Sequence, residues 1–134
     1  MGDFGSDLAK INDEISAKLD AIPRKLSLDI FSRIILRSPV DTGRFRGNWQ
    51  VQIGSAPAGT LELEDASGTA TIAKAQAATI GLKAGDVVFL ANNLPYAQRL
   101  EDGWSTQSAP GGMVALGVQQ FHSQAQKIMR EVFK

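Results

Sequence analysis

The amino-acid sequence predicts an α+β fold in which a long N-terminal helix and a long C-terminal helix pack on a small, mainly antiparallel β-sheet. Apolar residues recur every three or four positions near both ends of the chain, which is typical of amphipathic helices. Between these ends, two short apolar segments at 49–53 and 87–91 are typical of strands. The chain has 134 residues, so we expect a single domain over 1–134.

The first long helix is predicted over residues 7–37, with an interruption at Pro23. An apolar stripe runs along it and consists of Leu8, Ile11, Ile15, Leu19, Ile22, Leu26, Ile30, Phe31, Ile34 and Ile35. Proline removes one helical hydrogen bond and crowds the preceding turn, so we expect either one kinked helix or two nearly continuous ones. Pro39 is predicted to end the helix, because the residue before a proline avoids the helical conformation.

The residues after this helix are predicted to turn the chain into a strand. An aspartate in a turn can bond to its own downstream backbone, and a glycine accepts a positive φ. The following segment 49–53 alternates apolar and polar residues, which indicates a half-buried strand. We therefore predict a helix-to-strand corner formed by Pro39, Asp41, Thr42 and Gly43.

The middle of the chain is predicted to hold a loop or arm around 54–85. Within it, residues 60–65 allow a short alternating strand, and the alanine-rich segment 71–80 allows a short helix. The continuous apolar run at 87–91 suits a buried strand. One or two helical turns are expected at 95–100.

The last part of the chain is predicted to form a loop over 104–112 and then the second long helix over 112–133. Trp104 lies in this loop, which is rich in Ser, Gly and Pro. Tryptophan is enriched among the residues that dominate interface energies, so Trp104 is a candidate contact. The alternative is that its side chain covers the edge of the sheet.

Charge and composition exclude several classes of function. Fourteen basic residues balance fourteen acidic ones, which argues against a whole-protein electrostatic grip on nucleic acid or membrane. Zero net charge also permits many copies to associate closely. The chain has no cysteine, which rules out disulfides and thiolate chemistry. No apolar run approaches the roughly 18 residues that would indicate a membrane span, so we expect no membrane partner.

Candidate catalytic and metal-binding residues are weak. His122 is the single histidine, and without cysteines it gives poor zinc spacing, so a structural or solvent-facing role is favoured. The acidic cluster Glu62, Glu64 and Asp65 could bind a cation through its oxygens, but it lacks the spacing of a calcium loop. A solvated loop or edge strand is the favoured interpretation. We expect no enzyme activity, no cofactor and no metal.

A basic set near the corner is the strongest candidate for contacts with a partner. Arg33 and Arg37 share one helix face, and Arg44 and Arg46 follow the turn. Such a set can contact phosphates or an acidic protein surface. The alternatives are a solvated helix face with scattered ion pairs and, for Arg44, a structural pair with Asp41 across the turn.

One segment carries a specific resemblance. It is Pro39-Val40-Asp41-Thr42-Gly43-Arg44-Phe45-Arg46, and it resembles the Pro-Val-Asp-Thr-Gly-Arg-Leu-Arg segment of the tail-completion (Z-like minor tail component) family of tailed bacteriophages. Tyr96-Ala97, Glu101-Asp102-Gly103 and Ser108-Ala109-Pro110 follow in the order typical of that family. Phe45 and the stretch Gly47-Asn48-Trp49 depart from the usual pattern, and residues 54–85 look longer than usual.

The resemblance implies a structural virion protein at the head–tail junction, assembled in the cytoplasm of the bacterial host. Its expected partners are further copies of itself in a ring, a hexamer or dodecamer, together with the connector or head-closure proteins and the tail-tube protein. DNA would pass through such a ring without specific binding. The candidate lumen residues are Glu62, Glu64 and Asp65, and the candidate contacts are Arg33, Arg37, Arg44, Arg46, Tyr96 and Trp104.

Two alternatives to this function remain. The chain could be another structural component of the neck or tail. It could also be a small nucleic-acid-binding protein that uses the Arg33–Arg46 basic patch. An enzyme with a carboxylate metal site ranks below both.

Overall fold

A computed structural model describes residues 3–103 and 112–134. The described elements are α1 (Phe4–Arg37), α2 (Arg44–Gly47), β1 (Trp49–Ile53), α3 (Thr69–Thr79), β2 (Val88–Asn92), α4 (Ala97–Glu101) and α5 (Val114–Val132). Strands β1 and β2 form a two-stranded antiparallel sheet, with Trp49 opposite Asn92 and Ile53 opposite Val88. The predicted α+β class, with two long terminal helices and a small antiparallel sheet, is confirmed.

Helix α1 runs without a break through Pro23. It begins at Phe4, before the predicted start, and it ends at Arg37 as predicted. The alternative of two separate helices is therefore wrong. The apolar stripe keeps its spacing of three and four residues from Leu19 through Ile22 to Leu26, so a continuous helix keeps all of it on one face.

Helix α5 packs antiparallel to the second half of α1. Gly117, near the start of α5, lies against Ile30 and Ile34 of α1. At the other end, the ammonium group of Lys18 lies 5.8 Å from the centre of the Phe133 ring. The buried core between these contacts and the sheet consists of Leu26, Ile30, Ile34, Ile35, Phe45, Trp49, Leu94, Met113 and Ile128.

The first half of α1 is exposed, although its apolar stripe predicts burial. Phe4, Leu8, Ile11, Ile15 and Leu19 are between 44% and 75% exposed. Because α5 ends beside Lys18, residues 4–17 of α1 extend past it by roughly 20 Å, at 1.5 Å per residue. We call residues 3–19 the projecting half of α1. Among the described residues, nothing covers its stripe.

The middle of the chain differs from the sequence prediction at two places. Residues 60–65 form no strand. The side-chain amide of Asn48 takes the place of a neighbouring strand at Leu61, because its Nδ2 donates to the Leu61 carbonyl at 3.0 Å and its Oδ1 accepts from the Leu61 N–H at 2.7 Å. The segment 54–85 was expected to form a loop or arm. The short helix predicted within it at 71–80 is confirmed as α3, but α3 packs against α1 and β1 instead of projecting as an arm.

The remaining predicted elements are present in the structure as the expected type, helix or strand, but their first and last residues differ from the prediction. Strand β2 begins one residue later than expected and is half exposed, with Phe89 36% exposed, because only one face of the sheet meets the core. The predicted short helix appears as α4, and the last long helix appears as α5. Of the helices in the described ranges, none is long and apolar enough to cross a membrane.

A candidate interaction site at the helix-to-strand corner

Gly43 sets the conformation of the corner. Its φ is +91°, so the predicted positive φ is confirmed. A Cβ at this position would lie 2.5 Å from the backbone nitrogen of Ala66 and 2.7 Å from that of Asp65. The Gly43 carbonyl accepts from the N–H groups of Asp65 and Gly47, each at 2.9 Å. Glycine is therefore required here both for its backbone conformation and for the close approach of the 65–66 backbone.

The corner is joined to the end of α1 by buried polar contacts. The Trp49 indole N–H donates to the Ser38 hydroxyl at 2.7 Å, and this hydroxyl donates to the Ile34 carbonyl at 3.1 Å. The Phe45 ring meets the Trp49 ring edge to face, with their centres 5.8 Å apart. Phe45 belongs to α2, a single helical turn that was not predicted from the sequence. Its local sequence is too short to show a helical period.

Arg46 holds three chain segments together. Its guanidinium donates to the carbonyls of Ala66 at 2.7 Å, Leu36 at 3.0 Å and Ser38 at 2.7 Å. Burial lowers the pKa of Arg46, and the charge of Asp65 partly opposes that shift. The sequence prediction of Arg46 as a contact for a partner is therefore corrected. The two terminal nitrogens of its guanidinium donate the bonds that close α1 onto the 65–66 loop.

Asp65 is buried, which corrects its prediction as a lumen-facing residue. One carboxylate oxygen accepts from the Thr71 N–H at 2.7 Å and from the Thr71 hydroxyl at 2.6 Å. Burial on its own would raise the pKa of Asp65. Hydrogen bonds from Thr71 and from the N–H groups of Ala70 and Gly68 outweigh it, so the pKa lies below its ordinary value. Asp65 thus fixes the start of α3, where the helix dipole also favours a negative charge.

The other two acidic candidates remain on the surface. Glu62 and Glu64 are both exposed. The carboxylate of Glu62 lies 3.9 Å from the guanidinium of Arg44, and its side chain is 94% exposed. Such a pair contributes little to stability. Asp41, predicted as a possible partner of Arg44, is exposed and does not form that pair, since the acidic neighbour of Arg44 is Glu62.

The two helical arginines of the basic set are both engaged within the chain. Arg33 forms an ion pair with Asp29 at 3.0 Å, one turn earlier on α1. Arg37 donates to the Gln120 side chain at 2.5 Å and so joins α1 to α5. The predicted basic set therefore does not form one open surface. Arg44 is the member with the weakest internal contact.

A cleft of about 240 Å³ opens beside the corner. It is lined by residues 39–45 together with Tyr96 and Leu100. The Tyr96 ring is partly exposed and lies 5.9 Å from the Phe45 ring, centre to centre. Arg44 borders the cleft with its side chain 41% exposed, and its guanidinium lies 3.9 Å from the exposed carboxylate of Glu62. The cleft thus offers an aromatic wall and a partly exposed cation to a partner's side chain.

Glu101 has a structural role that the sequence analysis missed. Its carboxylate accepts from the N–H groups of Met113 and Val114, each at 2.9 Å, and from that of Ala115 at 3.1 Å. It therefore caps the start of α5 from outside that helix. The sequence gives no local indication of this contact, because Glu101 and the helix start are more than ten residues apart.

Trp104, the last predicted contact, lies outside the described residues. In the described ranges, no three acidic or histidine side chains come together in a way that could hold a metal ion. His122 is exposed, and its ring lies 3.2 Å from the side-chain amide of Gln126. Comparisons with known protein families, curated proteins and solved structures found no match to this chain.

Proposed function

We propose that the chain is a structural virion protein of a tailed phage, a tail-completion or tail-terminator component that joins the tail to the head connector as an oligomeric ring. The proposal rests on the resemblance of residues 39–46 to the tail-completion family. In this function the protein acts by contact with copies of itself and with the connector and tail-tube proteins. We place Arg44 and Tyr96 at such a contact.

One observation supports this proposal most directly. Residues 39–45 and Tyr96 belong to the two separate stretches that carry the resemblance, and they line the same cleft. A shared position in the fold is expected if both stretches serve one contact. Thr42 and Asp41 are exposed at its edge, whereas Pro39, Gly43 and Phe45 are buried beneath it. The cleft therefore combines a rigid floor with exposed polar groups, as interaction sites require.

The test is the mass of the purified chain in solution, measured by light scattering with and without tail tubes of the same phage. We expect rings, or assembly that depends on the tubes. Arg44→Ala should leave the melting temperature unchanged and weaken this assembly. Lys83→Ala, a change at an exposed lysine outside the cleft, serves as the control. A chain that stays monomeric with and without tubes would contradict the proposal.

The alternative of nucleic-acid binding receives less support from the contacts of the basic set. Arg33, Arg37 and Arg46 each form close hydrogen bonds or ion pairs within the chain, whereas the contact of Arg44 with Glu62 is long, at 3.9 Å. Phosphate binding by a patch of arginines weakens steeply as salt increases. Duplex DNA binding that falls with salt concentration, and that is lost in Arg44→Ala, would favour this alternative over the ring.

A further inference from the structure

We infer that the projecting half of α1, residues 3–19, docks on the exposed face of α5 in a second copy of the chain. The inference deepens the proposed function and rests on it, because it assigns the self-contact that a ring requires. Each chain would carry both the docking helix and its receiving surface. Contacts of this head-to-tail kind generate rings when the rotation between copies closes.

The docking helix carries an uncovered continuation of a core stripe. In its second half, α1 buries Leu26, Ile30 and Ile34 under α5 and the sheet. The same stripe continues through Leu19, Ile15 and the rest of the projecting half, where the side chains are exposed. An amphipathic helix with this spacing is suited to lie in an apolar groove of a partner.

The receiving surface is the exposed part of the apolar face of α5. Val118, Phe121 and Met129 are exposed there, between 48% and 68%, on the flank of the residues that pack on α1. Phe121 also borders a groove of about 310 Å³ whose walls include Leu26, Leu82 and Val88. Phe121 therefore connects the exposed apolar side chains of α5 with this groove, and exposed apolar surfaces mark interaction sites.

The projecting half of α1 and the C-terminal residues 114–134 carry net charges of opposite sign. Residues 3–19 carry four carboxylates against two lysines, a net side-chain charge of −2. Residues 114–134 carry Lys127, Arg130 and Lys134 against Glu131, a net side-chain charge of +2. Asp7 and Glu14 lie along one edge of the docking stripe, seven residues apart, whereas the three cations of 114–134 lie more than a quarter turn away from Val118 and Met129. The opposite net charges of the two segments favour this pairing over two acidic helices meeting each other.

The projecting half cannot reach the α5 of its own chain. The two helices are antiparallel, with Lys18 already beside Phe133 at the end of α5. Residues 3–17 therefore point away from α5, and α1 would have to break to fold back. A second copy supplies the same α5 surface without any change of conformation.

The experiment uses two variants, each of which destroys one surface. Ile11→Asp with Ile15→Asp removes the docking stripe, and Val118→Asp with Met129→Asp removes the receiving face. All four positions are exposed, so we expect both variants to keep the helical circular dichroism of the native chain. In sedimentation velocity, each should lose self-association by about a hundredfold or more in dissociation constant. Ile80→Asp, at an exposed residue outside both surfaces, should associate as the native chain does.

Mixing the two variants identifies the geometry. Each retains one intact surface, so an equimolar mixture should form one-to-one dimers that grow no further. If instead two projecting halves paired with each other, the α5 variant would assemble normally and the mixture would show no rescue. Either result overturns the inference.

The proposed function and this inference fail in different ways. A native chain that stays monomeric both alone and with tail tubes overturns the proposed function and this inference with it. Self-association that survives in both variants overturns the inference alone, because the copies then meet through another surface.

Discussion

The two ends of α1 carry the same apolar pattern and have opposite surroundings. At the anchored end, Leu26–Arg37, side chains pack under α5. Arg46 donates there to the Leu36 carbonyl and the Ser38 hydroxyl to the Ile34 carbonyl. In the projecting half, every described side chain is exposed. Periodicity thus predicts which face of a helix is apolar, while the partner that covers it is set by the rest of the fold or by another molecule.

This contrast separates two kinds of experiment. Substitutions at the anchored end and the corner should change the free energy of unfolding, because their groups are bonded within the chain. Substitutions in the projecting half should leave that free energy unchanged and act on association.

The largest loss of stability is expected from Gly43→Ala. A Cβ there combines a strained backbone conformation with overlap against the 65–66 backbone, and large losses of about 4 kcal/mol or more arise from such combinations. Gly54→Ala is a matched control, because Gly54 has φ +90° and open space around its Cα. It should cost only the conformational strain, about 1–2 kcal/mol. Equal losses in urea unfolding would show that the close approach at Gly43 does not matter.

The next largest effect is expected from Arg46→Ala. The substitution leaves three carbonyls without their charged donor, and we expect a loss of about 3 kcal/mol in chemical denaturation. The stability of Arg46→Lys should fall between that of the native chain and that of Arg46→Ala. An ammonium keeps the positive charge but lacks the forked geometry that reaches all three carbonyls. If Arg46→Ala kept its stability but assembled more weakly, the structural role would be contradicted and Arg46 would be a partner contact, as first predicted.

A smaller, pH-dependent effect is expected at Asp65. Its folded-state pKa is lowered, so its contribution to stability is present above the ordinary value of about 3.9. This contribution is lost as pH falls below that value and through the folded-state pKa. Asp65→Asn should therefore destabilise the chain at pH 7, and the difference from the native chain should narrow near pH 3.

Glu64→Gln provides the control for this pH dependence. Glu64 belongs to the same acidic cluster in the sequence but is exposed. We expect thermal melts of this variant to follow the native chain at both pH values. If the two substitutions behaved alike, the buried bonds to Thr71 would not be the source of the effect.

The sequence predicted local features well and long-range partners poorly. Gly43 was identified from turn chemistry that extends over three residues, and both terminal helices followed from periodicity. Arg46 and Asp65 were assigned to the surface because charged residues are usually exposed. Their partners, the Ala66 carbonyl and Thr71, lie in a loop whose position depends on the whole fold. Asn48 was missed as an organiser for the same reason.

The smallest effect is expected in the projecting half, and it tests the comparison of the two ends directly. Ile15→Ala and Ile34→Ala make the same change on the same helix. Ile34 is buried, so its truncation should cost about 2–5 kcal/mol. Ile15 is 47% exposed, so its truncation should stay within about 0.5 kcal/mol. Both losses in the free energy of unfolding should be measured at low protein concentration. At higher concentration, association would stabilise the native chain by mass action and make the Ile15→Ala variant look less stable by comparison. A cost at Ile15 that persists at the lowest concentration would mean that its own chain covers it. A cost that grows with protein concentration would instead show that a second molecule does.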